Sequence, residues 1–227
     1  MKPEGPARAP RGRPPSITRE RIANAGIAVG LPDLTFVGVA EALGVSHMAL
    51  YKHVPSLEAL KQLVAEEIFT RWDFPPLSEN RELADYLADF VASLRALVKV
   101  HPGLPALLIR ESAATQRILD KIDAHHRAVA RAYGLPKKQA TWLLSTVAFH
   151  CIAVADMIYR NSANVGSLQT ANAKSLTTTS EPTAAEAKRT RDAATMEREF
   201  SKGMHALIIG TLALLEKPEP VPRKKKE

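Results

Sequence analysis

Apolar positions recur along this chain at helical spacing, in blocks separated by glycine, proline and hydroxyl residues. The first block spans residues 18–30. Ile22, Ile27 and Val29 face inward with Ala25 and Ala28 beside them, Ser16 or Thr18 supplies the N-cap, and Gly30 and Pro32 end the helix. Thr35 caps a short block from Phe36 to Leu43, Gly44 turns the chain, and Ser46 caps another short helix over 47–53 that Pro55 breaks. Ser56 opens a longer helix to about Trp72, with Leu57, Leu60, Val64 and Ile68 in phase, and Pro75 and Pro76 stop it.

The pattern restarts at Glu79. Leu83, Leu87, Phe90, Val91, Leu94 and Val98 outline a helix to about Lys99, and Pro102 begins a short one to Ile109. Ile118, Ile122 and Val129 mark a third, closed by Gly134 and Pro136. Residues 137–161 are apolar nearly all round, and a last helix spans about 197–216. Between these two, residues 162–196 are rich in Ser, Thr, Ala and Asn without a sustained period before about Ala184, which predicts a mainly flexible loop with room for one short helix. No strand and no internal repeat emerges, so the fold class is all-α. The expected domains are a basic arm (1–15), a three-helix N-terminal domain (16–55), a helical body (56–217) and a tail (218–227).

Composition narrows this only in part. A hydrophobic share of 45% permits a real core, and aromatics at 5% with abundant Ala and Leu favour helices over strands. The net charge of +7 is compatible with nucleic acid, but its excess lies at the ends, in Lys2, Arg8, Arg11 and Arg13 and in Arg223 to Lys226. The single cysteine, Cys151, forbids an intrachain disulfide, fits a reducing cytoplasm and reads as a small buried hydrophobe. By eye no stretch reaches the roughly 20 apolar residues of a membrane span, so no membrane partner is expected.

The informative segment is TFVGVAEALGVSHMALYKHV, Thr35 to Val54. Two capped short helices flank the turn at Gly44. Ala40 keeps the contact between them small, and Leu50 closes a little core with Val39, Leu43 and Val45. This is the helix-turn-helix arrangement, in which the first helix braces the second so that its exposed side enters a DNA major groove. Ser46, Tyr51 and Lys52 suit phosphate, while His47 and Met48 lie where base edges would be met. The bland alternative is a solvated helical hairpin with incidental polar residues. In the arm, Arg11-Gly12-Arg13-Pro14 is extended and basic and suits a narrow minor groove, or else is a solubilising leader.

VAEALGVSHMALYKHV followed by PSLEAL resembles the DNA-binding segment of the TetR family of bacterial repressors, over about Thr18 to Phe69. LYKHV, with Val54 where many members carry Phe, leans toward the tetracycline-type subgroup. A weaker similarity continues in LSTVAFHCIAVAD and FSKGMHALIIGTLALLEK. The resemblance implies a cytoplasmic homodimer on a near-palindromic double-stranded operator, repressing until a small-molecule effector releases it. The DNA-facing set is then Arg11, Arg13, Thr35, Ser46, His47, Ala49, Tyr51, Lys52 and His53. Lys61 stands one turn beyond Leu57, the position where the family often has a phosphate-binding lysine.

The helix at 137–161 carries two apolar stripes, Leu144/Ala148/Ile152/Ala155/Tyr159 and Leu143/Val147/Val154/Met157/Ile158, so it must be covered on both sides. With the last helix, where Gly203 and Gly210 allow close approach, it would build a four-helix dimer interface about a two-fold axis. The resemblance also implies an effector cavity among the body helices. Its expected polar groups are His101, Arg110, Gln116, His150 and Asp156, and its expected apolar liners are Phe90, Leu94, Leu107, Trp142, Phe149 and Met157. No phosphate loop, HExxH or nucleophile elbow is present, so an enzyme is not expected. Nor is a cofactor or metal: adjacent His125 and His126 would point about 100° apart on a helix. A helical dimeric adaptor that binds no DNA is the competing class.

Overall fold

The computed structural model of the chain describes residues 17–78, 80–109, 114–173 and 184–215. Those residues form helices without a strand: α1 (Arg19–Val29), α2 (Phe36–Leu43), α3 (His47–Tyr51), α4 (Leu57–Arg71), α5 (Leu83–Val100), α6 (Leu104–Ile109), α7 (Gln116–Ala132), α8 (Lys137–Ala173) and α9 (Ala184–Leu215). Hydroxyl caps start α1, α2, α4 and α7. Thr18 accepts from the Arg21 amide, Thr35 from Gly38, Ser56 from Ala59 and Thr115 from Ile118.

α1, α2 and α3 pack around Ile22, Val39, Ala40, Leu50 and Val54, all buried, with Leu43 and Val45 at the margin. α1 also lies along α4. The crossing is close because Gly26 faces Val64: a methyl group on Gly26 would overlap Val64 Cγ2 and stand 3.3 Å from Leu34 Cδ1. At the far end of the same pair, Arg71 reaches back from α4 to the Asn24 side-chain carbonyl. The body packs α5 on α8, α7 on α8 and α8 on α9, around Tyr86, Leu87, Leu94, Leu143, Leu144 and Val147. One hydrophobic cluster runs from Ile22 through α4 to Ile208, so α4 belongs to both halves.

Three expectations need correction. Residues 162–173 continue α8 and 184–196 open α9, where a loop was expected; 174–183 lie outside the described residues. Alanine-rich runs such as Ala184–Ala187 have high intrinsic helix propensity, which needs no apolar period. α3 stops at Tyr51 rather than 53, because Pro55 holds Val54 away from helical geometry. Finally, Lys137–Tyr159 is long and apolar enough to cross a membrane by length and composition, with a mean hydropathy of 1.5. Its Ala140, Leu143, Leu144, Val147, Cys151 and Ala155 are fully buried against neighbouring helices, while Trp142, Phe149 and Met157 of the same segment are exposed. The arm and the tail lie outside the described residues.

Replacing Gly26 by Ala is expected to lower unfolding free energy by ~1–3 kcal/mol through overpacking. On a Val64→Ala background the same change should cost far less. Urea titration of the four variants measures this coupling, and a Gly26→Ala protein as stable as the parent would contradict the close crossing.

Candidate functional site

The first candidate surface is the outer side of α3. Gly44 adopts a left-handed turn with φ 68°, and the Gly44 and Val45 amides both return to α2 carbonyls, the latter to Ala40 at 3.0 Å. This turn fixes the angle at which α3 leaves α2. Leu50 is fully buried beneath the helix, while Ser46, His47, Met48, Tyr51, Lys52 and His53 are exposed and Ala49 is half-buried. The Ser46 hydroxyl makes no capping bond to α3. Tyr51 is held in place by its ring, which stacks on Phe36 at 4.2 Å with an interplanar angle of 11° and leaves the phenol end outward. Thr35 is exposed, but its hydroxyl is engaged by the Gly38 amide at 3.0 Å. Lys61 is half-buried on α4, beyond the exposed Leu57.

The second candidate is a cavity of about 290 Å³ in the body. Phe69, Trp72 and Phe74, from the end of α4 and the strand-like run after it, meet Phe90 and Leu94 of α5 there. Leu107 of α6, Ile118 and Ile122 of α7, and Leu144, Ala148 and Phe149 of α8 complete most of the lining. Its polar groups among the described residues are His125, His126 and Ser145. His125 lies parallel to Phe74 at 3.7 Å and shares a 2.6 Å hydrogen bond with the Tyr86 hydroxyl. Burial pushes its pKa down to about 3, helped by the neighbouring His126 and Lys121, so the ring is neutral. Burial also lowers His126, against the opposing pull of Asp123.

Lys121 of α7 joins the cavity to α4. Its ammonium donates to the carbonyls of Phe69 (3.1 Å), Thr70 (2.7 Å) and Trp72, the open C-terminal end of α4, and lies 5.4 Å from the Phe74 ring centroid. Arg117, one turn away on α7, pairs with Glu66 at 3.5 Å and Glu67 at 3.4 Å. Desolvation lowers the Lys121 pKa, as befits an ammonium that has exchanged water for carbonyls.

Solved structures superpose on most of this chain. A minocycline-bound variant of TetR from Acinetobacter baumannii AYE superposes with a TM-score of 0.65 at 19% identity, over 89% of this chain and 100% of that one. The chain has the TetR-family fold. ActR, a TetR family protein of Streptomyces coelicolor solved with actinorhodin, gives 0.64 at 22% identity over 89% and 99%. The S. coelicolor transcriptional regulator SCO7222, described as a TetR, gives 0.58 at 22% over 89% and 100%. No family model matches the sequence, and no curated protein matches it.

Within this TetR fold, Phe90, Leu94, Leu107 and Phe149 line the cavity. Several other expected liners lie elsewhere. His101 ends α5, Gln116 is exposed and bonds Asp120 at 2.8 Å, and Trp142 sits exposed on α8. His150 and Met157 line a separate groove between α8 and α9, beside Phe200 and Met204. Asp156 is half-buried on α8, outside the cavity lining, and Arg110, Arg11 and Arg13 lie outside the described residues. His125 and His126, a poor metal pair by sequence spacing, belong to the cavity lining instead. The strong amphipathicity of α7 was the available signal, since His125 and His126 flank its apolar side with Ile118, Ile122 and Val129.

His125 makes stability depend on pH. Its folded pKa lies far below the unfolded value near 6.5, so the unfolded chain binds the extra proton between those values, and stability falls as pH drops from about 6.5 toward 3. The expected loss from this residue approaches about 1.4 kcal/mol per pH unit. Urea unfolding at pH 7 and pH 5 measures it, and His125→Gln should flatten the slope. An unchanged slope in that variant would show that His125 is not the buried titrating group.

Proposed function

We propose that this chain is a DNA-binding transcriptional regulator, a repressor released from its operator by a small molecule. The observation that carries the reading is the braced α2–α3 pair. α3 buries Leu50 on α2 and turns His47, Met48, Tyr51, Lys52 and His53 outward as one exposed surface at the edge of the molecule. Tyr51 and Lys52 would hold phosphates, His47 would read a base edge, and Ser46, Ala49, His53, Thr35 and Lys61 would border the contact. Arg11 and Arg13 would follow the minor groove. The helical adaptor reading gives this outward surface no role.

Two copies would join through α8 and α9. Trp142, Phe149, Met157, Ile209 and Leu214 are exposed there, from 41% to 58%, a spread of large apolar side chains that a second copy would cover. A two-fold axis would then present two α3 helices to successive major grooves, about 34–36 Å apart. The effector would occupy the body cavity and act through α4, whose last turn Lys121 ties to α7. The minocycline and actinorhodin in the neighbouring structures are small-molecule ligands of those proteins and support an effector for this one.

Gel shifts against genomic fragments over a salt series test the class, because phosphate contacts make affinity fall steeply with salt. Lys52→Gln should reduce the salt slope by about one. Tyr51→Phe keeps the stack on Phe36 and should cost ~0.5–1.5 kcal/mol on every sequence alike. His47→Ala should change the preferred base at one position per half-site by about 1–3 kcal/mol. Salt-independent binding, or no change in all three variants, would remove the docking scheme. Lys121→Met should speed amide exchange over residues 68–72 while leaving α5 protected, as read by mass spectrometry. Unchanged exchange there would take the lysine out of the coupling route.

A further inference from the structure

We propose that Met48 reads thymine, its side chain covering the C5-methyl of one thymine per half-site in the major groove. The inference rests on the DNA-binding reading of α3 and adds the base and the group on it that is recognised. α3 runs from His47 to Tyr51 and is anchored by Leu50, which is fully buried. Successive residues of a helix turn by about 100°, so Met48 stands about 200° from Leu50. Its side chain therefore projects away from the core, and the residue is 62% exposed. Among the described large apolar side chains only Val100 is more exposed.

Single apolar side chains on a surface are ordinary. Position sets this one apart. Ser46, His47, Tyr51, Lys52 and His53, the other exposed residues of this segment, all carry polar groups. A helix that enters a major groove meets base edges with its N-terminal residues, and Met48 is the second residue of α3. On those edges adenine, guanine and cytosine present donors and acceptors, and thymine alone adds a methyl group beside its O4. A thioether chain laid on the other bases would cover polar atoms without bonding them, which costs free energy. Laid on thymine, it buries one apolar group against another. The unbranched methionine chain has three rotatable bonds with which to settle on the methyl. His47 next to it keeps a ring nitrogen for a neighbouring acceptor, and Lys52, one turn on along the same face, keeps to the phosphates.

Selection from random DNA with the full-length protein supplies the operator. In duplexes of that operator each thymine is then replaced by deoxyuridine, one symmetric pair at a time. This removes the C5-methyl and leaves the base-pairing edge intact. At one position the replacement is expected to weaken binding, read by fluorescence anisotropy, roughly fourfold per half-site, the effect of withdrawing one methyl-sized apolar contact. Met48→Ala, whose side chain stops short of the groove floor, should bind the thymine and uridine duplexes alike. Met48→Gln keeps the reach of the chain but ends in an amide, and should lose the preference as well. Both changes lie outside the core and are expected to leave the helical circular dichroism unchanged. A C·G pair placed at the same position should be bound more tightly by the parent when its cytosine carries a 5-methyl group, and by neither variant. A half-site without thymine, indifference to every uridine, or a methyl effect that persists in both variants would each overturn the assignment. Salt-sensitive DNA binding in those cases leaves the regulator reading standing. Binding to no duplex overturns the regulator reading and the thymine contact with it.

Discussion

A helix ends with carbonyls that no amide of its own can reach, and at the end of α4 those carbonyls are met by Lys121. The contact decides what α4 can do. At its midpoint the helix supports α1 through the Gly26–Val64 crossing, and near its finish it supplies Phe69 to the cavity and is clasped by α7. Arg71 to Asn24 and Arg117 to Glu66 and Glu67 reinforce the two attachments from opposite neighbours. α7 is thereby tied through α4 to the α1–α3 unit by covalent and hydrogen-bonded links.

Helix α3 is small and owes its shape to others. Five residues of α3 cannot hold a helix in water alone, since nucleation costs more than so few bonds return. Its geometry comes from the Gly44 turn, from Leu50 in the shared core and from the Tyr51 ring on Phe36. Phe36 thus shapes the outer surface while lying almost wholly within the core.

Much of this was legible in the sequence where a local rule acts. The caps at Thr18, Thr35 and Ser56 and the turn at Gly44 each depend on a few adjacent residues, and they fall where the pattern placed them. The cavity was half-legible. Periodicity puts Phe90 and Leu94 on the inner face of α5, but α8 is apolar on every side, so spacing alone does not say which stripe faces its own core. Phe149 reaches the cavity, while Met157, two turns on, turns to the α9 groove. His125 and Lys121 depend on partners 39 and about 50 residues away, Tyr86 and the end of α4, and no local pattern encodes such pairings. The Ser- and Thr-rich run after 161 shows no apolar period, and its helical stretches follow from the propensity of its alanines.

Cys151 carries a practical consequence. The thiol is fully enclosed between α8 and α5, 3.7 Å from the Val91 carbonyl, and burial drives its pKa up to about 12. The thiolate is the nucleophile that attacks a thiol reagent, so alkylation must wait for this part of the body to come apart. As the chain's lone sulfhydryl it is a built-in clock: the rate at which a maleimide marks it reports how often the α5–α8 seam opens, with no label engineered into the protein.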